Sequence, residues 1–287
     1  MVEMKKVLIT GTSGYVGRNL VHFLENNQYK VNQISVRDDK WMDKDFAHYD
    51  VVIHLAALVH NNEPGADMKR FMDVNYKLTK QLADKSKAEG VKQFIFFSTM
   101  AVFGLEGSVG RPEVVNKHTE CKPVTEYGIS KLKADEYLLD LSDDKFKVSI
   151  VRPPMIYGED SPGNFKRLKQ YAKFIPIYFD IHNERSAIYI GNLTLFVKAL
   201  IDREAEGIYY PSDHQHFSTN NVIRTIRANQ GKPCFAIPVP RIVYPMLRKI
   251  SYFNKLYGNL TYSDDMDGNR NDLAFINVEE AVENAMK

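Results

Sequence analysis

KKVLITGTSGYVGRNL, residues 5–20, decides how this chain folds. Two lysines lead into the apolar run Val7–Ile9, and Gly11, Gly14 and Gly17 follow at three-residue spacing just as a helical period begins at Tyr15. Residues without a Cβ weaken a helix start, so something must compensate for them. In a parallel sheet, the turn after the first strand lies at the carboxyl edge, where ligands bind. Glycine there gives a tight turn and lets backbone N–H groups approach a pyrophosphate, and the dipole of the helix N-terminus favours the same charge. GxxGxxG alone is a weak signal. Placed after a first strand and at the opening of a helix, it reads as a dinucleotide cradle.

The rest of the amino-terminal half repeats the alternation. Residues 30–36, 50–57, 92–98 and 146–151 read as strands, and residues 15–26, 66–88 and 125–141 as helices. In the second helix Phe71, Val74, Leu78 and Leu82 share one face, and Gly90 gives a stop. Apolar strands separated by helices predict an α/β fold: a Rossmann-type, doubly wound parallel sheet covered on both faces. After residue 158 the alternation decays into aromatics, prolines and short mixed elements. The expected division is a dinucleotide-binding domain over 1–158 with a returning element near 186–202, and a smaller C-terminal substrate-binding part from 159–185 and 203–287. The apolar segment 235–247, broken by three prolines and an arginine, reads as a loop and helix covering a core or a substrate cleft.

Composition narrows the class. The chain has 287 residues and a formal net charge of +2, with no stripe of Lys and Arg, so a nucleic-acid partner is not expected. Cys121 and Cys234 fit no CxxC spacing, which points to a reduced, cytoplasmic setting without a structural disulfide or zinc. His214 and His216 form a His-x-His pair with no third ligand nearby, so no metal is expected. The basic-then-apolar start is too short for a signal peptide, no stretch is long enough to span a bilayer, and no membrane partner is expected.

TEYGISK, residues 125–131, places Tyr127 and Lys131 four apart, on one helical face. An ammonium beside a phenol favours the phenolate and would lower its pKa, making tyrosine usable as an acid or base. Taken alone this pair occurs by chance on solvated helices. After a dinucleotide motif it is a strong catalytic signal.

Together these motifs resemble the extended short-chain dehydrogenase/reductase superfamily, in its NAD-dependent epimerase/dehydratase family. GTSGYVG (11–17), HLAA (54–57), Asn75, FSTMAVFG (97–104), YGISK (127–131) and RPPMIYG (152–158) carry the resemblance. Segment 163–193 is most similar to the subgroup of UDP-hexose 4-epimerases and 4-ketoreductases. The resemblance implies a catalytic set of Thr99, Tyr127 and Lys131, with Tyr127 as acid/base at the sugar C4 hydroxyl. Lys131 would hold the nicotinamide ribose, and Thr99 would bond O4 as well. It implies cofactor contacts from Gly11, Thr12, Ser13, Gly14, Tyr15, Val16, Gly17, Leu55, Ala56, Ala57, Asn75, Ser98 and Pro154. Asn164 and Arg185 would meet the diphosphate of the sugar nucleotide, for which a planar guanidinium is well suited. His54 has a structural role in that family.

Three departures refine the expectation. After Thr99 come Met100 and Ala101, where nucleotide-sugar dehydratases carry Asp-Glu; neither can move a proton, so epimerisation or ketone reduction at C4 remains. At the end of the second strand Ser35 and Arg37 replace the usual Asp, which would accommodate a 2′-phosphate and favour NADP over NAD; the alternative is that Arg37 points to solvent. Residues 37–50 are too short for the helix and strand that the family fits there, and Met155 stands where many members have Asn. The expected function is therefore a UDP-hexose or UDP-hexosamine 4-epimerase. An NADPH-dependent 4-ketoreductase and a non-catalytic dinucleotide-binding protein stand as alternatives. The expected assembly is a homodimer through helices 66–88 and 125–141.

Overall fold

The computed structural model describes residues 4–59, 67–266 and 273–286. It divides into two compact units, the first being Met1–Gly104, Glu120–Pro153 and Thr194–Tyr210. Six strands build that unit: β1 (Lys6–Thr10), β2 (Lys30–Ile34), β3 (Val51–His54), β4 (Gln93–Phe97), β5 (Lys147–Val151) and β6 (Gly207–Tyr209). They form one parallel sheet in the order β6-β5-β4-β3-β1-β2. The order reverses at β1, whose two neighbours are β2 and β3, so the crevice expected to take a ligand opens at the carboxyl ends of β1 and β3.

Every residue of β3 and β4 is buried, as their continuous apolar sequences require of strands covered on both faces. Leu8, Val52, Phe94, Phe96, Leu138 and Ile150 form the core on one side of the sheet. The short crossover from β2 to β3 contains a single 3₁₀ turn, Asp39–Asp43. Trp41 (3% exposed) and Phe46 (fully buried) plug into the same core, with ring centroids 6.5 Å apart. The missing helix and strand leave β2 at the sheet edge, half-exposed along its length.

Helix Glu126–Leu141 starts where capping chemistry predicts. Thr125 Oγ1 accepts the Gly128 N–H at 3.1 Å, and Glu126 in the first turn suits the helix dipole. The helix expected over 66–88 (residue 66 lies outside the described residues) is not uniform: Met68–Phe71 and Leu78–Ala88 are α-helical, but Met72–Lys77 is a π-helical stretch. The wider turn rotates the buried face. Asn75 and Thr79 become fully buried, while Val74 and Leu78, expected inside, are half-exposed.

The second unit is Leu105–Thr119, Pro154–Leu193 and Pro211–Lys287. It contains two-stranded pairings and helices Asn164–Phe174 and Thr219–Asn229 around Tyr157, Phe165, Phe217 and Ile226. Its limits differ from the division read from the sequence. Residues 105–119 join it because Ser108–Val109 pairs with Gly258–Asn259 and Val114–Val115 with Thr261–Tyr262. Residues 203–210 fall in the first unit because β6 completes the large sheet.

Candidate active site

The glycine turn of the first unit is built by close backbone approach. Gly11 has φ +74°, and a Cβ on it would lie 2.5 Å from the Ala56 nitrogen. A Cβ on Gly17 would lie 2.6 Å from the Thr12 Cα. The turn is thus pressed against Ala56, just past β3, and helix Tyr15–Glu25 against the turn. No side chain caps that helix at Gly14 and its first turn holds no acidic residue, which leaves its N-terminal dipole to an anion. Small residues that cannot be enlarged and an uncapped helix start are what a pyrophosphate site requires, so Gly11 to Gly17 fit the dinucleotide.

Thr10, His54 and Thr79 tie the strands beneath this turn. Thr10 Oγ1 and His54 Nδ1 are 2.7 Å apart, and His54 Nε2 and Thr79 Oγ1 are 3.0 Å apart. Burial, with a smaller contribution from the Lys131 charge, holds His54 down at about 3, so it is neutral and structural. Asn75 bonds Leu58 through both its amide oxygen and nitrogen and also reaches Ser130 Oγ at 3.0 Å. Its amide fixes the loop carrying Leu55, Ala56 and Ala57, the role the structure gives it in place of a free cofactor donor.

At the end of β2, Arg37 Nη2 donates to Ser13 Oγ and the Arg37 N–H to Ser35 Oγ, both at 3.4 Å. Asp38, the first carboxylate after β2, accepts the Lys40 N–H as a cap. One guanidinium and two hydroxyls therefore meet beside the glycine turn.

The Tyr127 phenol lies near enough to the Thr99 side chain for that hydroxyl to influence its ionisation. Thr99 Oγ1 accepts the Ala101 N–H at 3.2 Å, which fixes its rotamer. The electrostatics differ from the simple Tyr–Lys picture. Burial pushes the Tyr127 phenol up to about 12; the Thr99 hydroxyl draws it down and the Asp135 charge raises it further. Lys131 is itself buried, its Nζ 3.9 Å from the Phe96 ring centroid, and burial pulls its ammonium well below the ordinary range while Asp135 supports it.

Asp135 and Arg152 are the residues that sequence reading missed. Asp135, one turn beyond Lys131, accepts from Ser98 Oγ and from Arg152 Nε, each at 2.9 Å. Arg152 Nη1 reaches Cys121 Sγ at 3.4 Å, and its guanidinium lies over the Phe103 and Tyr210 rings. Burial lifts Asp135 to about 6 against the pull of Arg152, Ser98 and Lys131. The Ser98 hydroxyl, expected beside nicotinamide, points into this network. The available signal was the Lys131–Asp135 spacing, which puts a carboxylate on the same face as the lysine. Arg152 stood inside a quoted motif without an assigned role.

In the second unit Asn164, Arg185 and Met155 line one small cleft together with Lys255. Arg185 is held by four backbone carbonyls, those of Gly258, Lys255, Glu106 and Asn254, at 2.8–3.2 Å. Its donors thus tie the end of helix Ser251–Tyr257 and the strand at Gly258 to Glu106, instead of standing free for a diphosphate. Arg248, Lys249 and Lys255 stand with Arg185 around an adjoining cleft, and add cations that no motif in the sequence marked. Among the described residues no group of three His, Cys, Asp or Glu could hold a metal. His216 faces Glu184 at 3.6 Å, and His214 stacks on Phe275.

Comparison with known proteins shows the family and the fold. The family model "NAD dependent epimerase/dehydratase family" matches residues 7–195. The chain is 31% identical to a UDP-glucose 4-epimerase of Vibrio cholerae, over 92% of this chain and 86% of that protein. It is 29% identical to the N-acetyl-alpha-D-glucosaminyl-diphospho-ditrans,octacis-undecaprenol 4-epimerase of Escherichia coli O157:H7, over 84% of this chain and 76% of that protein. Among solved structures, a UDP-glucuronic acid 4-epimerase of Bacillus cereus in complex with NAD aligns with a TM-score of 0.71 at 19% identity, over 97% of this chain and 96% of that one.

Proposed function

The chain belongs to the NAD-dependent epimerase/dehydratase family, and from that premise we propose that it inverts the C4 hydroxyl of a UDP-hexose or UDP-hexosamine. The observation that carries this reading is Tyr127 near Thr99, on the helix that also buries Lys131. NAD or NADP bound along Gly11–Gly17 would accept the C4 hydride and return it. In its phenolate form Tyr127 would take the proton from O4 as the ketone forms, and as the phenol it would give that proton back when the sugar is reduced. Thr99 would bond O4. Lys131 keeps positive charge under the site, and Met100 and Ala101 offer no group for water loss. Asn164 and the cations around Arg185 bind the diphosphate.

The direct test is to incubate the protein with UDP-glucose and with UDP-N-acetylglucosamine, with and without added NAD, and to resolve 4-epimers. The cations around Arg185 suit a diphosphate and make no demand on a base, so a polyprenyl-diphosphate sugar, the substrate named for the E. coli relative, is a third arm. If none of the three is epimerised, the reading fails.

The Arg37–Ser13–Ser35 cluster favours a second reading, an NADPH-consuming 4-ketoreductase. A 2′-phosphate gains charge-assisted bonds there, whereas NAD lacks the carboxylate its ribose would otherwise reach. NADPH should bind about tenfold to a hundredfold more tightly than NADH, the worth of roughly 1.5–3 kcal/mol for a bond to a charged group. Arg37→Ala should narrow that gap in a fluorescence titration. Equal affinities, unchanged by the substitution, would remove the selectivity argument.

The proposed assembly is a homodimer through helices Leu78–Ala88 and Glu126–Leu141. Ile129 and Leu139 are more than a third exposed on the second of these, available to a partner copy. Light scattering at micromolar concentration should give twice the monomer mass; a strict monomer would exclude the dimer.

A further inference from the structure

One face of the second unit combines exposed apolar side chains with one sign of charge. Strands Ile177–Asp180 and Phe235–Pro238 pair in parallel, with Ile177 opposite Phe235 and Phe179 opposite Ile237. Strand alternation puts these four side chains on one side, and all four are exposed. The Phe179 ring meets Phe253 at 5.6 Å, which joins the face to the segment 241–257. That segment exposes Ile242 (87%), Met246 (61%), Ile250 and Tyr252, and Phe174 (80%) precedes the first strand.

Ordinary surfaces scatter such residues singly; a contiguous set marks an interaction site. The charge says what kind. Residues 164–179 and 231–257 hold nine of the 38 Lys and Arg and none of the 36 Asp and Glu, although the whole chain is nearly neutral. Lys232 and Arg241 among these are exposed and lie outside the cationic cleft around Arg185. The bordering carboxylates are Asp180, bonded by Asn220, and Glu106 in the cationic cleft.

We propose that this face docks in the plane of an anionic lipid bilayer, its aliphatic and aromatic side chains entering the headgroup boundary and its cations meeting lipid phosphates. Apolar insertion with a basic rim is the physics of interfacial anchoring. It needs no spanning segment, and among the described residues no helix is long and apolar enough to cross a membrane.

The test is sedimentation of the full chain with vesicles of phosphatidylcholine alone or containing phosphatidylglycerol. Binding is expected to the anionic vesicles and to fall steeply as salt rises. Ile242→Ser with Met246→Ser, and separately Lys232→Glu with Arg241→Glu, should each weaken it by about tenfold or more. NADPH binding, measured on the same variants, should not change and confirms that they fold. No binding to anionic vesicles, equal binding to neutral ones, or binding that survives both variants would overturn the proposal. Self-association lost with the apolar variant, in the absence of vesicle binding, would overturn it in favour of a protein interface. None of these readouts depends on turnover, so failure of the epimerase reading leaves the test intact.

Discussion

Tyr127→Phe should lower turnover by about 10²- to 10⁴-fold, the usual worth of a positioned acid/base. The ring packing is retained and the hydroxyl alone is lost, so fold and dinucleotide binding should be kept. The reason lies in the geometry around the phenol. Its neighbour Thr99 has its Oγ1 fixed by the Ala101 N–H, and burial raises the phenol to about 12. Among the described neighbours of Thr99, Met100 and Ala101 have no proton to exchange. Single-turnover kinetics on a verified substrate checks this; a near wild-type rate would remove Tyr127 from the mechanism.

Arg152→Met should destabilise the protein by about 3–5 kcal/mol, because it leaves a buried carboxylate without its hydrogen-bonded cation. Asp135 and Arg152 are 0% and 4% exposed and bonded at 2.9 Å, and Asp135 Oδ1 has no hydrogen-bond partner of its own. The pH dependence follows from the sign of the Asp135 shift. Its folded pKa is raised, to about 6 from an ordinary 3.8, so the folded state binds the extra proton between those values. This group's contribution is therefore most favourable in acid and is lost as pH rises through 6. Without Arg152 the carboxyl rises further, so the loss relative to wild type should be larger at pH 7.5 than at pH 5. Adding Asp135→Asn should recover part of it. Urea unfolding at the two pH values decides the matter. A variant as stable as wild type, or a double variant no better than the single, would show that the pair carries no such weight.

The glycine turn, the alternation of strands and helices and the Tyr127–Lys131 spacing are local properties, and local properties were legible. Strand period, helix caps such as Thr125 and the steric freedom of Gly11 act over a few residues, and five strands of the parallel sheet followed from them; the sixth, Gly207–Tyr209, did not, because its three residues carry no period of their own. The family resemblance then named Thr99, which no spacing rule would have paired with Tyr127. The π-helical stretch was not legible, because Phe71, Val74, Leu78 and Leu82 keep a regular helical pattern; burial of the Asn75 amide against Leu58 accompanies the altered register.

What only the tertiary structure decided concerns charges taken out of water. Asp135, Ser98 and Arg152 are separated by up to 54 positions and become one network because β4, β5 and helix Glu126–Leu141 bury them together. The same burial, rather than the Lys131 charge, dominates the phenol of Tyr127. Arg185 read as a diphosphate contact, and its carbonyl partners come from a helix end, a strand and Glu106, some 70 to 80 residues distant. The apolar, basic face forms only when residues 177–180 and 235–238 pair. Periodicity reports which residues share a face of one element; desolvation, which sets pKa values, ion-pair strength and exposed apolar area, depends on what other elements bring to that face.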